Sequence, residues 1–170
     1  SLALRERVLE RGHPLVGVSR LGIGEILMVQ GDLDGAATEL ARGREIFEKA
    51  NGADHPLVAE ALQRLADLRR RQGAHAEALA LLERAEAIRK TRDLRPAVAA
   101  RIDFKLAQAL WESGDEARRA RARELLVLLA PTLLDDLKVA PADERAAIRA
   151  WLDAHEAEVT AARAVSRPDG

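Results

Sequence analysis

The side chains able to do chemistry are few, and their spacing argues against most of it. Four histidines, His13, His55, His75 and His155, are the candidates for imidazole ligands or proton shuttles. No two stand at the interval that places a ligand pair on one helix face, so histidine-based metal binding is not expected. His13 and His55 each precede a proline and read as residues that begin a helix. Asp32-Leu33-Asp34-Gly35 opens like a calcium loop, but Ala37 and Gly43 stand where that loop needs glycine and glutamate. Gly22-Ile23-Gly24 lacks the third glycine of a dinucleotide loop and follows helix rather than strand. Asp135-Asp136 has no accompanying histidine, lysine or metal motif, so solvated carboxylates are the better reading. With no cysteine, thiolate catalysis, disulfides and cysteine zinc sites are excluded. The chain is read as non-enzymatic, with no cofactor and no metal; a catalytic domain would lie outside it.

Charge narrows the partner. Twenty-seven basic side chains face 28 acidic ones, a balance that sets up no field for nucleic acid or anionic lipid. Arg69-Arg70-Arg71 and the Arg118–Arg123 cluster lack interleaved aromatics and read as solvated helix faces. The longest apolar run, Leu125 to Leu134, is broken by Pro131 and far short of the ~20 residues of a membrane span. Neither nucleic acid nor membrane is expected as a partner, and the absence of cysteine fits a reducing cytoplasm.

These side chains must be positioned by helices. Apolar residues make up 48% of the chain and aromatics 2%, with alanine and leucine dominant, a mixture that favours α over β. A repeat organises it. His13-Pro14-Leu15-Val16 returns as His55-Pro56-Leu57-Val58, 42 positions later, with Ile23/Leu65, Gly24/Ala66, Gly31/Gly73, Ala36/Ala78, Leu40/Leu82 and Ile46/Ile88 in phase. A third, weaker copy starts at Arg95-Pro96-Ala97-Val98. Pro14, Pro56 and Pro96 suit the first turn of a helix, and Gly31, Gly73 and Gly114 suit its end. The spacing predicts helices near 14–30, 33–50, 56–72, 75–92, 96–113 and 116–130.

The third copy departs from the others. Gly114 is eight positions from its small residue Ala122, against five from Gly73 to Ala78, and a longer turn over Asp115–Arg119 would absorb the difference. Pro131 should end or kink the sixth helix. A last helix, about 142–163, carries Ile148, Trp151, Leu152, His155 and Val159 on one stripe and reads as a cap. The expected segments are the end of a truncated preceding repeat (1–12), repeats over 13–54 and 55–94, a degenerate repeat over 95–138, the capping helix (139–165) and a disordered tail (166–170). Gly17 and Gly22 each cost ~1 kcal/mol inside helix 14–30, which should be the softest element, whether they are merely tolerated or form a hinge.

This pattern resembles the tetratricopeptide repeat, in the 42-residue variety of kinesin light chains. The second copy supplies Leu62, Leu65, Ala66, Arg69, Gly73, Ala78, Leu82 and Ala85; the first supplies Arg20, Ile23, Gly24, Leu27, Gly31, Ala36, Leu40 and Gly43. Arg20 and Arg69 depart from the bulky apolar type and suggest looser packing there. The last third, from Leu106-Ala107-Gln108-Ala109-Leu110-Trp111 to Trp151-Leu152, is similar to the C-terminal repeat regions of large bacterial serine/threonine protein kinases. The resemblance implies an all-α solenoid of antiparallel helix hairpins, a tetratricopeptide superhelix with a C-terminal capping helix.

It also implies that first helices line a concave groove that binds a protein or peptide. Helical spacing would place Leu21, Glu25 and Met28, then Gln63, Asp67 and Arg70, then Arg101, Phe104, Gln108 and Trp111 on that groove. Phe104 and Trp111 read equally as groove anchors or as core beneath the capping helix. The lysines and asparagines with which chaperone-binding repeats grip a carboxylate are replaced by Leu21, Glu25, Gln63 and Asp67. The asparagine of kinesin light chains is replaced by Gly22, Arg64 and Lys105, so that cargo recognition does not transfer. Three roles remain: an interaction module in a larger bacterial signalling protein, a self-associating scaffold, and a sensor for a small peptide pheromone. The chain is expected to be a monomer or weak homodimer.

Overall fold

The structure, a computed structural model, describes residues 12–113, 115–129 and 142–155. Among these there is no strand, and no helix is long and apolar enough to cross a membrane. The chain divides into two compact units, Ser1–Leu94 and Arg95–Gly170.

The first unit holds α1 (Pro14–Gln30), α2 (Leu33–Asn51), α3 (Pro56–Arg71) and α4 (His75–Thr91). They form two hairpins, α1 on α2 and α3 on α4, with α2 packed on α3. Both hairpins open with the same device. His13 Nδ1 accepts the Leu15 N–H at 3.1 Å, and His55 Nδ1 accepts the Leu57 N–H at 3.2 Å. Each imidazole thereby satisfies a donor that the first turn leaves without a partner, while the following proline has no N–H to satisfy. The accepting nitrogen must be unprotonated, which puts the ring proton on Nε2. Both first helices close on a glycine in the left-handed region, Gly31 at φ 85° and Gly73 at φ 77°. The next residues, Asp32 and Ala74, return their N–H groups to Leu27 O at 3.0 Å and Arg69 O at 2.9 Å. Asp32 also caps α2, its side chain accepting from the Gly35 N–H at 2.9 Å.

Val16, Leu40, Phe47, Val58, Leu62 and Leu68 are fully buried in this unit. Small residues set how closely α1 meets α2. A Cβ at Gly24 would lie 2.6 Å from Leu40 Cγ, one at Gly17 2.7 Å from Phe47 Cε1, and one at Gly43 2.8 Å from Leu21 Cδ2. Gly22 meets nothing within 4 Å, so the two interior glycines of α1 differ: the Phe47 ring needs Gly17, and no neighbour needs Gly22. The looser packing expected at Arg20 and Arg69 is replaced by ion pairs. Arg20 Nη1 meets Glu39 Oε2 at 2.7 Å with both side chains largely buried, and the more exposed Arg69 meets Glu77 at 3.0 Å.

The second unit holds α5 (Pro96–Glu112) packed on α6 (Glu116–Leu129), and α7 (Ala142–Ala154). The longer turn expected over Asp115–Arg119 is not formed. Asp115 Oδ1 accepts from the Ala117 N–H at 2.8 Å, and the helix begins at Glu116. Glu-Ala-Arg-Arg favours helix strongly, so the extra residues become an additional first turn ahead of the buried Ala122. The expectations for residues 1–11, Gly114, Pro131, Val159 and the tail lie outside the described residues.

Candidate protein-binding surface

In the first unit α1 and α3 touch each other directly, and two arginines of α3 tie them together. Arg64 Nε meets Glu25 Oε1 at 2.6 Å, and Arg71 Nη1 donates to the Met28 carbonyl at 2.9 Å. The second contact adds a side-chain donor to a last-turn carbonyl of α1 that otherwise receives the Gly31 N–H at 3.3 Å. On α3, Gln63, Asp67 and Arg70 follow at four- and three-residue steps and share one face. Arg70 and Glu25 are exposed, Asp67 half-buried, and Gln63 buried. Among the described residues nothing donates to Gln63 Oε1, which is buried beneath the face that carries Asp67 and Arg70.

Other residues expected on the surface lie beneath it. Leu21 is buried against Gly43, and Met28 is buried too. In the second unit Phe104 and Trp111 are 2% and 8% exposed. Phe104 meets Trp151 of α7 edge-on at 5.5 Å, and Trp111 meets Trp151 at 6.0 Å and His155 at 5.1 Å. Trp151 and His155 stack at 4.1 Å, and Arg123 of α6 lies 5.7 Å from the Trp111 ring centre. Phe104 and Trp111 are therefore buried side chains in contact with α7. Arg101 and Gln108 of α5 are half-buried.

Two features carried no clear signal in the sequence. Arg71 and Arg123 come from basic runs that read as solvated faces, yet one caps a neighbouring helix and the other covers an indole. Their partners are distant in sequence, so no local pattern could have given them. The other is a groove of about 390 Å³ between α2, α3 and α4, lined by Ala37, Ala41, Leu65, Ala80 and Leu81 with Arg44, Arg69 and Glu77. Alanines a turn apart on α2 leave that space; they have no small counterparts 42 residues on, so the repeat pattern does not mark them. Among the described residues no three His, Asp or Glu side chains come together as a metal site would need.

Comparison with known proteins agrees with this geometry. Residues 16–91 match the pattern of the tetratricopeptide repeat family, a stretch that runs from α1 to the end of α4. The crystal structure of a Podosopora anserina protein assigned as a kinesin light chain, with nearly identical tetratricopeptide-like repeats, superposes with a TM-score of 0.66 at 21% identity, over 99% of this chain and 84% of that one. No curated protein matches the chain. The fold is an all-α solenoid of tetratricopeptide type.

Proposed function

We propose that the chain is a protein-interaction module that holds a peptide, or an extended segment of a protein, along its first helices. One observation carries this reading: α1 and α3 lie side by side and present Glu25, Asp67 and Arg70 around the Arg64–Glu25 bridge, with Gln63 buried beneath. Charges of both signs suit a partner of alternating charge. Arginine tends to concentrate binding energy, which points to Arg70 as the group of greatest weight. Leu21 and Met28 support this surface from below, as Phe104 and Trp111 do under α5, whose own Arg101 and Gln108 offer contacts of the same kind. Tetratricopeptide repeats generally mediate protein–protein interaction, which supports a binding rather than a catalytic role. The setting we infer is the regulatory or scaffolding part of a larger cytoplasmic bacterial signalling protein, a kinase among the candidates, on the likeness of the last third to kinase-linked repeats.

The test uses peptides selected from a displayed random library against the whole chain. Asp67→Lys combined with Arg70→Glu should weaken the selected peptides at least about tenfold, with far-UV circular dichroism unchanged. Peptides that bind the variant as well as the parent, or a library that yields no binder, would remove the reading.

A further inference from the structure

The groove between α2, α3 and α4 is a second recess of the first unit, apart from the face assigned to a peptide above. Its place on α3 separates the two. Leu65 and Arg69 line the groove and stand two residues either side of Asp67, which at about 100° per residue puts them about 160° around the helix. The groove sits at the junction of two complete hairpins, so its opening does not depend on where the sequence begins. Side-chain size makes it. Ala37 and Ala41 of α2 line one side, Ala80 and Leu81 of α4 the other, and the buried Leu65 lies between. Forty-two residues on, Ala37, Ala41 and Arg44 give way to Leu79, Glu83 and Glu86, so the gap belongs to this junction and not to the repeat. About 390 Å³ falls within the ~300–1,000 Å³ of ligand sites, near the lower end.

The two ends of the groove differ in charge. Near the start of α4, Arg69 is satisfied: it meets Glu77 at 3.0 Å and donates to Gln72 Oε1 at 2.7 Å. Farther along α2 and α4, one carboxylate serves two guanidiniums. Glu48 lies 3.1 Å from Arg84 Nη2 and 3.7 Å from Arg44 Nε, so the shorter contact goes to Arg84. Arg44 Nε is buried and has no hydrogen-bond partner among the described residues. A guanidinium carries five donors, and a buried donor without an acceptor is costly. This end therefore holds two positive charges against one negative, and Arg44, with its side chain 30% exposed, lines the groove there.

We propose that this groove binds a segment of a partner protein in which aliphatic side chains are followed closely by a carboxylate. The aliphatic groups fill the space over Leu65, and the carboxylate takes the donors of Arg44, which a guanidinium can offer in pairs. A basic segment would be repelled at the Arg44 end, and a wholly apolar one would leave that donor unmet. A peptide suits the groove better than a free fatty acid. At the far end the Arg69–Glu77 pair offers polar groups to a backbone that continues, whereas an alkyl chain would finish against charge. The proposal does not rest on the α1–α3 reading, because the two sites use opposite sides of α3.

Displayed random peptides selected against the whole chain carrying Asp67→Lys with Arg70→Glu should converge on aliphatic residues followed by Asp or Glu. A synthetic peptide of that consensus should shift the methyl resonances of Ala37, Ala41 and Ala80 and leave those of Val18 and Val29 on α1 in place. Ala80→Leu, at an exposed position, fills the groove and should weaken this peptide at least about tenfold with helicity unchanged. Arg44→Gln should weaken it similarly, and should abolish its advantage over the same peptide with Gln in place of the acid. The proposal is overturned by a selection that yields no peptide, by a consensus without a carboxylate, or by binding that ignores Ala80→Leu and Arg44→Gln. Methyl shifts that follow protein concentration alone, the mark of a second copy in the groove, also overturn it, as do shifts caused by decanoate and by no peptide. Ala80→Leu should spare the peptides that Asp67→Lys with Arg70→Glu releases, so failure at one site is distinguishable from failure at the other.

Discussion

A methyl group at Gly17 would press into the Phe47 ring, and one at Gly22 would point into open space. Alanine costs less than glycine in a helix interior by ~1 kcal/mol. Gly22→Ala should therefore raise the chemical-denaturation midpoint, and Gly17→Ala should lower it through overpacking worth ~1–3 kcal/mol. Equal effects at the two sites would mean that Phe47 yields freely. The imidazole caps give a second contrast. His55→Ala removes the acceptor for the Leu57 N–H and should cost about 1 kcal/mol, while His55→Asn, which keeps a short acceptor, should recover most of it. Measured unfolding free energies that fail to separate Ala from Asn would count against the cap. The role of these histidines was legible, because a histidine before a helix-starting proline has one obvious task. The split between Gly17 and Gly22 was not, because it depends on which side of α1 faces a ring 30 residues away.

At the scale of the element, the hairpins follow from short-range rules. Proline at the start, glycine at the end and apolar residues at helical spacing gave α1 to α5 nearly to the residue. The error at the third turn had a local cause: Asp115 starts the helix at once, and a length difference assigned to a loop became a helical turn. Contacts between elements were harder to see. Arg20 breaks the apolar pattern and looks like a packing fault until Glu39 of α2 is placed 2.7 Å from it. Removing one partner leaves the other poorly solvated, so Arg20→Ala and Glu39→Ala should each cost ~1–3 kcal/mol, and the double variant less than their sum. Strict additivity in that cycle would mean the pair contributes nothing. The same limit applied to the surface. The row Glu25, Asp67, Arg70 could be placed from periodicity, but the burial of Leu21, Met28 and Gln63 depends on neighbours that a helical wheel does not contain.

For the molecule as a whole, the two units carry different optical labels. Both tryptophans lie in the second, Trp111 on α5 and Trp151 on α7, and none lies within residues 1–94. Repeat stacks spread their stability over local and nearest-neighbour terms, so a core deletion in one unit need not be felt equally in the other. Phe47→Ala should shift the unfolding midpoint followed by circular dichroism while moving that followed by tryptophan emission much less. Coincident shifts would show that the chain melts as one block.

The two arginine clips of α3 bear on how such a chain can be rearranged. Arg64 and Arg71 reach back to Glu25 and to the Met28 carbonyl. Their counterparts 42 residues earlier are Gly22 and Val29, which have nothing to reach with. The join is directional: the second hairpin grips the one before it, and the first has no such hand to offer a predecessor. Exchange the two in a shuffled gene, and the carbonyl end of the leading helix faces a valine. The repeats rhyme, but they are not interchangeable, and their order is fixed by which of them holds the other.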